Sequence, residues 1–167
     1  EIGSGLVGSE MCIRDRPYPL EKYMQESKAD TVIIEKVERN LKDFITDPPM
    51  LTPSETKLSG EAKQAETKTT VHVGVSEADT AYTEVSGKLD SKYVTPGMKV
   101  YAAVGEDSDQ HIYQAYLVNA NSSADSLDTT EYRLYLPQET VDTKTKVQVY
   151  VESEQGLYLV GQSLKGE

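Results

Sequence analysis

Lys146-Val147-Gln148-Val149-Tyr150-Val151-Glu152 places Val147, Val149 and Val151 on one side of an extended chain and Gln148, Tyr150 and Glu152 on the other. That period of two is the mark of a strand with one face in a core. The same alternation recurs upstream: Met98, Val100, Ala102 and Val104 interleave with Lys99, Tyr101 and Ala103, and Val71, Val73 and Val75 with His72 and Gly74. Further strands are read at 85–89, 112–118, 132–136 and 157–160, separated by turn-forming stretches such as Thr95-Pro96-Gly97, 105–109 and 119–130. About seven short strands at this spacing, with no helical pattern between them, predict a mainly β fold of two packed antiparallel sheets over 69–167.

Composition agrees. Among 167 residues there are 11 Tyr, one Phe and no Trp, a bias suited to strands whose rings have an apolar body and a polar tip. The formal charge of −11 repels phosphate backbones and anionic lipid, so nucleic-acid partners are disfavoured. No run approaches the roughly 20 apolar residues of a membrane span, and no membrane insertion by this segment is expected.

Outward from the strands, Asp47-Pro48-Pro49-Met50-Leu51-Thr52-Pro53-Ser54 concentrates proline with small polar residues, and 47–68 reads as a semi-rigid linker. Residues 17–46 read differently. Leu20, Tyr23 and Met24 recur at helical spacing; Val32, Ile33 and Ile34 are apolar without alternation, as in a strand covered on both faces; Leu41, Phe44 and Ile45 return to helical spacing before Pro48 and Pro49 end the pattern. Helix, buried strand and helix form the repeating unit of an α/β domain. One such unit cannot bury itself, so this segment is expected to pack poorly.

Ala29-Asp30-Thr31-Val32-Ile33-Ile34-Glu35-Lys36-Val37-Glu38-Arg39-Asn40-Leu41 resembles the closing strand of SGNH-hydrolase-like proteins, within them the alginate O-acetyltransferase and DHHW-type branch, whose last strand runs into a Glu-Arg pair. The resemblance implies that 17–46 is the C-terminal remnant of an α/β domain performing acyl transfer or ester hydrolysis with a Ser-His-Asp set. Those residues would lie upstream of Pro17, so no catalytic residue is assigned here. Glu38 and Arg39 correspond to the family pair, with a structural ion pair as the expected role. Val94-Thr95-Pro96-Gly97-Met98-Lys99-Val100, with Tyr132-Arg133-Leu134-Tyr135-Leu136-Pro137, resembles bacterial Ig-like repeats of surface proteins, which implies an Ig-like sandwich. Residues 6–16 resemble a translated sequencing adapter; 1–16, with Cys12, the one cysteine, are expected to be disordered and foreign to the fold.

The two resemblances together imply a non-catalytic accessory domain of a bacterial surface enzyme acting on envelope polysaccharide. Its partners would be the upstream catalytic domain of the same polypeptide and cell-envelope polysaccharide, its location extracellular or at the cell surface, with any signal peptide upstream. The alternative is a carbohydrate-binding or adhesin-type module with no enzymatic parent, for which Tyr101, Tyr116, Tyr135 and Tyr150 form a candidate glycan-binding platform on outward faces. Asp109-Gln110-His111 matches the letters of the acyltransferase Asp-x-His motif but falls in a turn between sandwich strands. Glu106, Asp107 and Asp109 lack the spacing of a calcium loop, and His72 and His111 are too few for zinc, so neither cofactor nor metal is expected.

Overall fold

The computed structural model describes residues 20–28, 50–106, 109–119 and 130–163. In chain order these form α1 (Leu20–Ser27), β1 (Glu55–Thr56), β2 (Lys63–Thr69), β3 (Val71–Val75), β4 (Tyr82–Lys88), β5 (Lys99–Val104), β6 (His111–Asn119), β7 (Thr130–Pro137), β8 (Val147–Ser153) and β9 (Gly156–Gln162). All seven strands expected from the alternating stretches are present, as β3 to β9. The spatial order is β2-β9-β8-β5-β6-β7-β4-β3, with β1 beside β6.

Two strands carry the chain from one sheet to the other. β6 pairs with β5 through residues 111–115 and with β7 through 116–119. β2 lies along β9, and only Thr70 separates it from β3, which pairs with β4. With both sides bridged in this way the sandwich is nearly closed into a barrel, which leaves few free edges. The pairing is antiparallel apart from β2 with β9, which is parallel.

Alternation decides which side chains fill the interior. Val147, Val149 and Val151 are fully buried with Val85, Val100, Leu134 and Leu136 in one cluster between the sheets, and their strand neighbours face outward. The turn before β5 shows why its residues are what they are: Met98 N–H donates to Thr95 O at 3.2 Å, and Gly97 sits at φ +74°. Proline second and glycine third is the pattern of a type II turn, whose third position needs positive φ.

The expected linker is the main correction. Within 47–68, Glu55 and Thr56 form β1, residues 63–68 belong to β2, and Met50 is fully buried. The sandwich therefore begins well before residue 69. β2 reads Lys-Gln-Ala-Glu-Thr-Lys-Thr and is mostly exposed, with Ala65 alone packed on the core, so no apolar period announced it. The expected strand at 31–37 and the helix after it lie outside the described residues.

Candidate functional site

Residues 50–62 run as a strap across the outer faces of both sheets. Met50 packs on Tyr82 and Tyr135 outside the β4–β7 pair, with Ala78 beside them. Leu58 packs against Tyr101, Tyr150 and Leu157 outside β5, β8 and β9. Between those anchors, Glu55 and Thr56 pair with Tyr113 and Ile112 along the edge of β6. Outward-facing rings on a sandwich normally meet water; here the strap covers them.

Polar contacts fix the strap at each end. The Glu21 carboxylate of α1 accepts from the Thr52 N–H at 2.9 Å, from the Thr52 hydroxyl at 2.9 Å and from the Tyr82 hydroxyl at 3.2 Å. Bonds to an ionised acceptor are stronger than neutral ones. Lys22 adds an exposed ion pair with Asp79 at 3.3 Å. Asp79 is held below the usual carboxylate range chiefly by the Ala81 N–H, with Lys22 assisting. At the other end Tyr101 donates to Glu152 at 2.7 Å, and Glu152 is lowered by hydrogen bonds from Ser59 and then Tyr101.

The four candidate tyrosines do not form one exposed platform. Tyr101 and Tyr150 stand directly opposite each other on β5 and β8, both facing outward, yet keep only 6% and 8% exposure. Tyr135 is on β7 in the other sheet and fully buried under Met50. Tyr116 on β6 alone stays partly exposed. Stacking on a sugar needs a free ring face, and for three of the four the strap or its flanks occupy that space. Strand period correctly put Tyr101 and Tyr150 outside; the covering segment had no period to betray it.

A shallow groove of about 400 Å³ lies where the strap meets β6, lined by Pro53, Ser54, Glu55 and Thr56 and by Gln114, Ala115 and Tyr116. Its hydroxyls, carboxylate and amide suit a small neutral polar ligand, with the Tyr116 ring as one wall. Burial, and next the Glu21 charge, raise the Tyr116 phenol. At the rim His111 Nδ1 lies 2.9 Å from Glu55, and Nε2 lies 3.9 Å from Asp109. Asp109 and His111 thus join Glu55 in an exposed polar cluster at the start of β6. Exposed pairs of this kind contribute about 0–1 kcal/mol.

Glu38 and Arg39 lie outside the described residues, as does Asp107. Among the described residues no group of three or more His, Cys, Asp or Glu could hold a metal ion. Glu21, Met50 and Leu58 were not expected to matter. The adjacent apolar pair Met50-Leu51, set among prolines and polar residues, was the one hint.

The covered tyrosines carry a pH signature. Tyr82 is pushed up to about 12, first by burial and then by Glu21; Tyr101 is pushed up to about 12, first by burial and then by the hydrogen bond to Glu152. A phenol titrates near 10 when unfolded, so the folded state retains its proton longer. That stability is fully present below pH of about 10 and is lost as pH rises through about 12. Thermal midpoints should fall across that window, and Tyr82→Phe with Tyr101→Phe should flatten the fall; an equally steep fall in the double variant would show the rings to be uncovered.

No family model matches the chain, and no curated protein or solved structure matches it.

Proposed function

We propose that this Ig-like sandwich is a non-catalytic accessory domain of a bacterial surface-associated, SGNH-like O-acyltransferase or esterase acting on envelope polysaccharide, the catalytic domain preceding it in the same polypeptide. The observation that supports the reading best is the clamp on α1: Glu21 is tied to Thr52 and Tyr82, so the polypeptide before the sandwich is fastened onto its outer face. A spacer or mount for an upstream domain needs such an anchorage. The resemblance of residues 29–41 to a closing SGNH strand supplies the enzymatic parent, and the surface location follows from the same reading.

The test is turnover. The purified chain should not hydrolyse p-nitrophenyl acetate or an O-acetylated oligosaccharide above background. Hydrolysis that disappears in Ser54→Ala or His111→Ala would defeat the non-catalytic reading.

A second reading, a carbohydrate-binding surface module without an enzymatic parent, is favoured by the groove beside Tyr116. Oligosaccharide titration followed by NMR separates the two: shifts confined to Gln114 and Tyr116 and abolished by Tyr116→Ala favour binding, and unchanged spectra favour the mount.

A further inference from the structure

Among the described residues, the edges of the two sheets are guarded unequally. β2 carries Lys63, Glu66 and Lys68 and is tied to the 3-10 turn Ser91–Tyr93: the Glu66 N–H donates to the Tyr93 hydroxyl at 3.1 Å, and Lys92 pairs with Glu66. Charged side chains are a usual defence of an edge. β3, Val71-His72-Val73-Gly74-Val75, has neither proline, lysine nor acid, and Val75 is 47% exposed.

The ladder shows which backbone groups this edge presents. Ser76 N–H donates to Tyr82 O at 2.8 Å, and Val75 lies opposite Thr83, so Ser76 faces Tyr82 as a hydrogen-bonded pair. Hydrogen-bonded pairs alternate along an antiparallel ladder. Gly74 and His72 therefore turn their N–H and C=O toward β4. Val71, Val73 and Val75 turn theirs outward.

We propose that β3 pairs with β3 of a second copy of this chain, antiparallel about a two-fold axis at Val73, joining the two β4-side sheets into one. The strand is self-complementary in that register. Val73 would face its counterpart and Val71 would face Val75, giving about six backbone hydrogen bonds and covering the exposed valine. His72 would lie opposite Gly74, where a side chain meets open space within 4 Å, and beyond that glycine stands Glu84 on β4. The imidazole of each copy can thus reach over the other's glycine toward its carboxylate. This pairing is isologous and closes on itself. The self-complementary register and the open space at Gly74 that receives His72 both suit a second copy.

Sedimentation equilibrium of the whole chain over a concentration series tests this. The proposal predicts a reversible dimer. Val75→Lys, which sets a charge at an exposed edge position, and Gly74→Arg, which fills the space His72 needs, should each weaken association at least about tenfold while leaving the circular dichroism spectrum unchanged. Should Val75→Lys disturb the fold, Gly74→Arg decides alone, because its side chain projects into open space. A chain that stays monomeric at every concentration overturns the proposal, including a monomer whose Val73 amide is protected by some other strand. So does a dimer indifferent to the substitutions.

Discussion

Met50→Ala is expected to destabilise the sandwich by about 2–5 kcal/mol, the range for truncating a fully buried large apolar side chain. Met50 has no exposed surface and rests on Tyr82 and Tyr135, so its removal leaves a hole over two rings on the outside of the β4–β7 pair. A residue in a free linker would change stability by less than about 0.5 kcal/mol. Urea denaturation at neutral pH distinguishes these values. The slope should stay near that of the parent if the strap remains in place, and the midpoint alone should move. Leu51→Ala, at a half-buried neighbouring position, is the natural comparison and should cost less.

Gly87→Ala should cost about 1–3 kcal/mol through overpacking. A Cβ at position 87 would collide with the Tyr132 hydroxyl and come within 2.6 Å of the Thr70 carbonyl oxygen. The hydroxyl can be removed; the carbonyl cannot. Tyr132 is fully buried and its hydroxyl has no hydrogen-bond partner among the described residues, so Tyr132→Phe alone should be neutral or stabilising by about 1 kcal/mol. Combined, the two substitutions should be less damaging than their sum, because the phenylalanine vacates part of the space that alanine needs. Chemical denaturation of the four proteins checks the cycle, and strict additivity would mean that ring and glycine do not touch.

The strands were legible wherever burial imposed a period of two. β8 shows this most clearly: one face in the core, one outside, with valine and polar residues in strict exchange. β2 was illegible for the opposite reason. As a charged edge it buries almost nothing, and a strand that buries nothing leaves no pattern. The parallel pairing of β2 with β9 was invisible too, since pairing direction is settled by the tertiary path of the chain and not by residues 63–69 themselves.

For the candidate site, strand alternation gives the direction of a ring but not what lies over it. Tyr101 and Tyr150 do face away from the core, as their alternation with Val100 and Val149 required. What covers them comes from residues 50–62, about 40 positions or more away along the chain, in a stretch whose prolines suggest an extended spacer. An extended segment can equally lie flat on a sheet. Whether it does depends on a few apolar anchors, here Met50 and Leu58, and on polar ties such as Glu21 to Thr52.

If the strap is part of the sandwich, the segment of α1 that it holds is oriented with respect to the sheets, which is what an accessory mount requires. If it is loose, the outward tyrosines are free and the domain presents an aromatic surface instead. The mount reading therefore rests on one structural fact, while the groove beside Tyr116, built in part by the seated strap, is tested by oligosaccharide titration.

Amide hydrogen exchange across residues 50–62 of the intact chain measures whether the strap is seated. The Thr52 amide, bonded to Glu21, and the amides of β1 should exchange far more slowly than unstructured peptide. Exchange of these amides at the unprotected rate, with β5 and β8 still protected, would show a free linker beside an uncovered sheet and rule out the seated strap.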